Sequence, residues 1–184
     1  ESMVKNIQES NSCVSVCKFH LKGNDSQIIT TSGWKSDTTV ISNSDAINKM
    51  YVGELTYTAW AKLFITKRVK EIEFEPGIWF EDRPFFLQYL INSKVVSFVD
   101  EPLLAITISP SSISRRTVSE KRIMDIQQVW ELENVLSSQY NLKNSSQILI
   151  AQNHLNSLYE NAIFLCQDRY EINNFKQVLN VFND

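Results

Sequence analysis

Apolar and polar positions alternate in two different ways along the chain. Met3, Val4 and Ile7 recur at helical spacing in a polar segment that runs into Asn11-Ser12, which predicts a short amphipathic helix ending there. Cys13 to Leu21 is a run of strand formers, Lys22-Gly23-Asn24-Asp25 is turn chemistry, and Gln27 to Thr31 is a second β-branched run. A hairpin is therefore expected. Ser32 to Asn43 has no periodicity and reads as a surface loop. Ser42 or Ser44 then caps a helix over Asp45 to Met50 that Gly53 closes.

Thr56 to Ile113 is denser in aromatics and holds all 4 prolines, Pro76, Pro84, Pro102 and Pro110. Tyr57 to Ile65 reads as apolar and β-prone, and Lys67 to Ile72 as a short helical turn. Phe74-Glu75-Pro76-Gly77 reads as a turn leading into Ile78-Trp79-Phe80-Glu81-Asp82. A helix over Arg83 to Ile91 accepts Pro84 in its first turn, where a missing N–H costs little. Lys94 to Val99 is expected as a short buried strand, Asp100-Glu101-Pro102 as a turn and Leu103 to Ile108 as another strand. After Ser114 the period changes to threes and fours: Ile123, Ile126, Val129, Trp130, Leu132 and Leu136, then Ile148, Ala151, Leu155, Leu158, Ala162 and Leu165. Phe175, Val178, Leu179 and Phe182 form a last stripe. The pattern is a mixed α/β front followed by a helical tail, with no repeat at a fixed period.

At 184 residues and 43% hydrophobic composition the chain is large enough for a real core. Its 18 Lys+Arg against 21 Asp+Glu give a net charge of -3, so bulk electrostatics argues against nucleic acid as a partner. The 3 cysteines, Cys13, Cys17 and Cys166, show no paired metal spacing and fit reduced thiols in the cytoplasm. Cys13 and Cys17, four apart on a strand, are expected as small buried side chains on one face. No apolar run approaches the roughly 20 residues needed to span a bilayer, and no signal peptide is recognisable. The chain opens directly in a helix at Glu1-Ser2-Met3, which suggests a piece of something longer.

The strongest chemical signal is Glu81-Asp82 at a helix start. Acids there are favoured by unpaired backbone N–H groups and the helix dipole, so simple capping is one reading. The surroundings favour a second. Trp79 and Phe80 precede the pair, Pro84-Phe85-Phe86 follow it, and Gly77 allows close backbone approach. Apolar walls beside a carboxylate are what a general base needs to take a proton from a weakly acidic hydroxyl. His20 and His154 have no Cys or carboxylate at ligand spacing and read as packed or surface histidines. There is no G-x-S-x-G elbow for a hydrolase.

Trp60-Ala61-Lys62-Leu63-Phe64, Phe74-Glu75-Pro76-Gly77, Glu81-Asp82, Val95-Val96, Asp100-Glu101-Pro102-Leu103 and Pro110-Ser111-Ser112-Ile113-Ser114 follow one another in a familiar order. In that order the sequence resembles the C-terminal portion of a bacterial family-two glycosyltransferase with the GT-A fold, of the kind found in capsular and exopolysaccharide pathways. The resemblance covers roughly Tyr57 to Arg116. It implies an α/β protein with a partial GT-A-like mixed sheet and flanking helices over residues 1–116, then an all-helical C-terminal extension over 117–184. By the same resemblance Asp82 is the catalytic base of an inverting transfer from a nucleotide-sugar to a saccharide or lipid-linked acceptor, and Glu81 positions the loop or the acceptor. Trp60, Lys62 and Trp79 then shape the acceptor side of the cleft, with a core role equally open to Trp60, and Arg115 and Arg116 supply positive charge nearby.

The family's donor half, ending in a D-x-D that holds Mg2+ or Mn2+, has no counterpart in this sequence, and Asn24-Asp25 lacks a partner carboxylate. The metal is thus expected of a complete enzyme and not of this chain, which alone should be inactive. Thr107 and Ser109 stand where relatives often carry basic residues, and Ser111 replaces the usual glycine. The helical tail has three uses open to it: covering a sheet edge, forming a homodimer, or touching the inner face of the membrane, the last least favoured because no strongly basic face is present. A non-catalytic module that packs on a partner through this tail is the alternative to an enzyme.

Overall fold

Two strands far apart in sequence form the spine of the molecule. In the computed structural model, which describes residues 1–23, 26–34, 38–108 and 119–169, β1 (Val14–Lys22) runs parallel to β5 (Val95–Thr107). β2 (Ile28–Ser32) and β4 (Lys62–Phe64) pair antiparallel with opposite ends of β1, and β3 (Val40–Ser42) pairs antiparallel with the start of β5. Among the described residues the sheet order is β2-β1-β5-β3, with β4 beside β1.

The first halves of β1 and β5 are covered on both faces, as parallel pairing favours, while β2 and the second half of β5 are largely exposed. Strand β1 sends alternate residues into different surroundings. Val14 and Val16, with Val96 and Phe98, pack on Ile47 and Met50 of α2 (Asn43–Tyr51) and on Phe86, Tyr89 and Leu90 of α4 (Asp82–Ile91). Ser15, Cys17 and Phe19 turn the other way, toward α1 (Ser2–Ser10). Ser15 donates to Asn6 Oδ1 at 2.8 Å, and Cys17 and Phe19 cluster with Met3. Cys13 and Cys17 are both buried free thiols, as expected, yet they join different apolar clusters. Cys13 lies just before β1 begins and so escapes its alternation.

Local signals placed most helix ends correctly. Asn11 closes α1 in a left-handed conformation at φ 51°, and Ser42 caps α2 by accepting from Asp45 N at 3.1 Å. The chain between α2 and α4 departs from expectation. Only Lys62–Phe64 of the β-prone Tyr57–Ile65 stretch is strand, because Ala61 takes a left-handed φ of 59° that breaks extended pairing. A single turn of helix, α3 (Thr66–Val69), follows.

Asp100-Glu101-Pro102 is a bulge rather than a turn between two strands. Cys17 stands opposite Val99, Lys18 opposite Pro102 and Phe19 opposite Leu104, so Asp100, Glu101 and Leu103 lie outside the ladder while β5 continues. Lys18 ion-pairs with Asp100 there. β3 pairs only with Val95 to Ser97, so Pro102, which has no N–H to give, falls past the doubly paired part of β5.

The helical tail comprises α5 (Glu120–Gln139) and α6 (Asn144–Arg169). Ser119 caps α5 by accepting from Arg122 N at 3.3 Å. Ile123 and Ile126 pack against Leu158 and Ala162, and Ile150 reaches the main core. Ser146 Oγ lies 2.8 Å from Asn48 Oδ1, and Asn153 donates to Tyr51 O at 3.3 Å. Helices α5 and α6 therefore pack on α4 and α2 respectively. Among the described residues no helix is long and apolar enough to cross a membrane.

Candidate functional site

Asp82 occupies the first turn of α4, and Glu81 the position before it. Glu81 has helical torsions (φ -54°, ψ -26°) and makes no side-chain cap bond, so the simple capping reading does not hold for it. The Asp82 carboxylate is half-buried beneath the loop that precedes β4, where the Ala59 backbone N–H donates to it. Burial raises its pKa above the ordinary carboxylate value, Glu81 adds to the rise, and the Ala59 bond and Lys62 oppose it. A carboxylate raised in this way is a better proton acceptor than a solvated one.

Lys62 enters the same neighbourhood from β4. Its ammonium donates to Thr58 O at 2.7 Å and Thr56 Oγ1 at 3.3 Å and sits 4.6 Å from the centre of the Phe86 ring. Burial lowers its pKa to about 7, against the pull of the Asp82 and Cys17 charges. Each charge favours the other's ionised form, but burial outweighs that effect at both residues.

The backbone leading into each of these residues is strained. Ala61, just before Lys62, has φ 59°, and Phe80, just before Glu81, has φ 66°. Left-handed torsions cost a non-glycine residue roughly 1–2 kcal/mol, and such costs gather at functional sites. At Ala61 the twist turns its carbonyl to β1, where it accepts from Cys17 N at 3.0 Å and Cys17 Sγ at 3.5 Å.

Trp79 also lies close by, with its ring 5.3 Å from the Arg122 guanidinium, which reaches Phe80 at 5.1 Å as well. Trp60 lies in the loop between Ala59 and Ala61. It is 39% exposed and meets Phe19 edge-on at 4.6 Å, so it is a surface aromatic rather than a core one. Arg115 and Arg116, the Pro110-Ser111-Ser112-Ile113-Ser114 segment, Ser109 and Asn24-Asp25 lie outside the described residues. His20 bonds Thr31 Oγ1 at 2.8 Å through Nδ1, and the buried His154 stacks on Trp130 with ring centres 4.7 Å apart. His154 is a packed histidine, and His20 a half-exposed one on β1.

Several residues that support the site were not singled out from the sequence. Arg83 donates from Nε to Glu133 Oε1 at 3.2 Å and from Nη2 to Glu133 Oε2 at 2.7 Å, with both side chains buried. Asp125 accepts from Trp79 N at 3.0 Å, and Lys121 donates to Gly77 O at 2.8 Å and to Asp125. A signal was available: Glu133 continues the Ile126, Val129 stripe of α5, and Arg83 sits in a helix otherwise buried as apolar residues. A charge on an apolar face needs a buried partner.

No family model matches this sequence, and no curated protein does. Solved structures match it by shape. S. aureus TarS 1-349 in complex with UDP-GlcNAc aligns at TM-score 0.51 and 15% identity, over 98% of this chain and 62% of that one. TarS 1-349 in complex with UDP aligns at TM-score 0.43 and 16% identity, over 98% and 61%. The chain therefore spans less than two thirds of the TarS chain it matches, and the likeness is one of fold: a mixed α/β sheet with flanking helices, shared with a protein crystallised with a nucleotide-sugar.

Proposed function

We propose that this chain is the acceptor-side part of an inverting glycosyltransferase that uses a nucleotide-sugar donor, with Asp82 as general base. The observation that carries the reading is the half-buried Asp82 carboxylate in the first turn of α4, bonded by the Ala59 N–H and within electrostatic range of the Lys62 ammonium, in a fold shared with a protein crystallised with UDP-GlcNAc. In the reaction the acceptor hydroxyl gives its proton to Asp82 while its oxygen forms the bond to the anomeric carbon. The bond from that carbon to the diphosphate oxygen breaks on the opposite face, and the nucleoside diphosphate leaves. Trp79 and Trp60 offer aromatic faces to sugar C–H surfaces, and Glu81 stands beside the base as a second acceptor of hydroxyl hydrogen bonds.

A divalent cation is expected of the complete enzyme. Among the described residues no group of His, Cys, Asp and Glu comes together that fits one, so no step here runs through it. The 184-residue chain by itself should neither turn over a nucleotide-sugar nor bind UDP in a metal-dependent way, which calorimetry checks.

The deciding test assays the protein joined to its upstream sequence against a panel of nucleotide-sugars and saccharide acceptors. Asp82→Asn should lower turnover by about 10²–10⁴-fold; full turnover in that variant refutes the base. Met124, Val135, Ile148, Leu155 and Tyr159, exposed on α5 and α6, favour a second reading as a docking module. Absence of transfer with every donor, together with a complex formed through those residues, would select it.

A further inference from the structure

Helix α5 grips the chain on both sides of Glu81-Asp82. On the N-terminal side, the buried Asp125 carboxylate accepts from Trp79 N at 3.0 Å, and Lys121, itself bonded to Asp125, holds Gly77 O at 2.8 Å. On the C-terminal side, the buried Glu133 carboxylate takes two bonds from Arg83. Between these anchors Arg122 lies over the rings of Trp79 and Phe80, and Phe80 packs against Ile123 and Ile126 of α5 and Leu158 and Ala162 of α6.

The anchored segment contains the left-handed Phe80, whose backbone relaxes unless its neighbours hold it. Apolar packing alone would serve stability as well or better, since well-packed apolar residues often equal or exceed a buried ion pair. What the two carboxylates add is direction: each fixes a particular backbone or guanidinium donor at a set distance.

We propose that Asp125 and Glu133 are positioning residues for Asp82, so that the helical tail completes the site instead of serving only as an outer support. The inference rests on the reading of Asp82 as the base. Asp125 and Glu133 stand eight residues apart, about 12 Å along a helix, and they hold residues 79 and 83, three before and one after the carboxylate they place. Neither reaches the acceptor; each acts through the backbone of the loop or the first turn of α4.

The test is hydrogen exchange on the full chain, paired with kinetics in the protein joined to its upstream sequence. In Asp125→Ala, exchange at the amides of residues 78–83 should quicken about tenfold, the scale of one lost hydrogen bond, while the amides of β1 and β5 keep their protection. Asp125→Asn, which retains an acceptor oxygen, should restore most of it. Turnover should follow the same order, with kcat falling about tenfold in the alanine variant and KM within about twofold. Unchanged exchange at residues 78–83, an equal rise throughout the chain, or full kcat in Asp125→Ala would each overturn the proposal. Exchange does not depend on turnover, so failure of the clamp is separable from failure of the base, which shows as full activity in Asp82→Asn.

Discussion

The Arg83 guanidinium and the Glu133 carboxylate meet through two N–H···O bonds in a space where Glu133 has no exposure to solvent. The rings of Tyr51 and Tyr57 lie 5.9 and 6.0 Å from the same guanidinium. The pair is the polar centre of the contact between α4 and α5.

Breaking it on one side leaves a buried charge without a counter-charge. Glu133→Ala should destabilise the chain by about 3–5 kcal/mol, measured by urea unfolding. Replacing both partners, Arg83→Met with Glu133→Leu, should recover most of that loss. If the double variant is as unstable as the single one, the cost comes from lost packing and not from the stranded charge.

His154 makes stability depend on pH. Burial first, and the Arg83 charge second, lower its pKa from 6.5 to about 4. Its folded form therefore binds a proton less readily than its unfolded form. This contribution is fully present above pH 6.5 and is lost as the pH falls toward about 4. The complete loss is on the order of 3 kcal/mol. His154→Phe keeps a ring against Trp130 and should flatten the unfolding free energy between pH 6.5 and 4.5. An unchanged slope would place the dependence on other groups.

The Lys62 amine should titrate near neutral pH. Its pKa of about 7 arises from burial, and the Asp82 charge holds it up against a further fall. Following the 13Cε shift of each lysine by NMR should show one midpoint near 7 for Lys62. Asp82→Asn should move that midpoint lower still, because it removes the counter-charge while leaving the burial. A midpoint above 10 in the native chain, unmoved in Asp82→Asn, would mean that the two groups do not share a niche.

Much of the fold was legible because its signals are local. Helix α1, the β1–β2 hairpin, the Ser42 cap and the apolar stripes of α5 and α6 follow from side-chain period and cap chemistry. The β5 bulge was not legible, since Asp100-Glu101-Pro102 has turn composition and only the ladder to β1 keeps it extended. The broken Tyr57–Ile65 stretch was missed for a related reason. Ala61 has no local reason to be left-handed, and its torsion is set by the bonds from Cys17, 44 residues earlier. At the site, Asp82 and Lys62 were visible as residues, but their proximity was not. Asp125 and Glu133 belong to a different helix, and tertiary packing alone brings them to residues 79 and 83.

The bulge in β5 has a consequence for how the sheet tolerates change. Side chains along a strand alternate with period two, so one residue added to a continuous ladder turns every later side chain to the opposite face. Asp100 and Glu101 already stand outside the ladder. An insertion or deletion there alters the length of an outward loop and leaves the pairing of Val96–Val99 with Val14–Cys17, and of Leu104–Thr107 with Phe19–Lys22, each in place. The long central strand thus behaves as two independently registered halves, and their junction is where its length is free to vary.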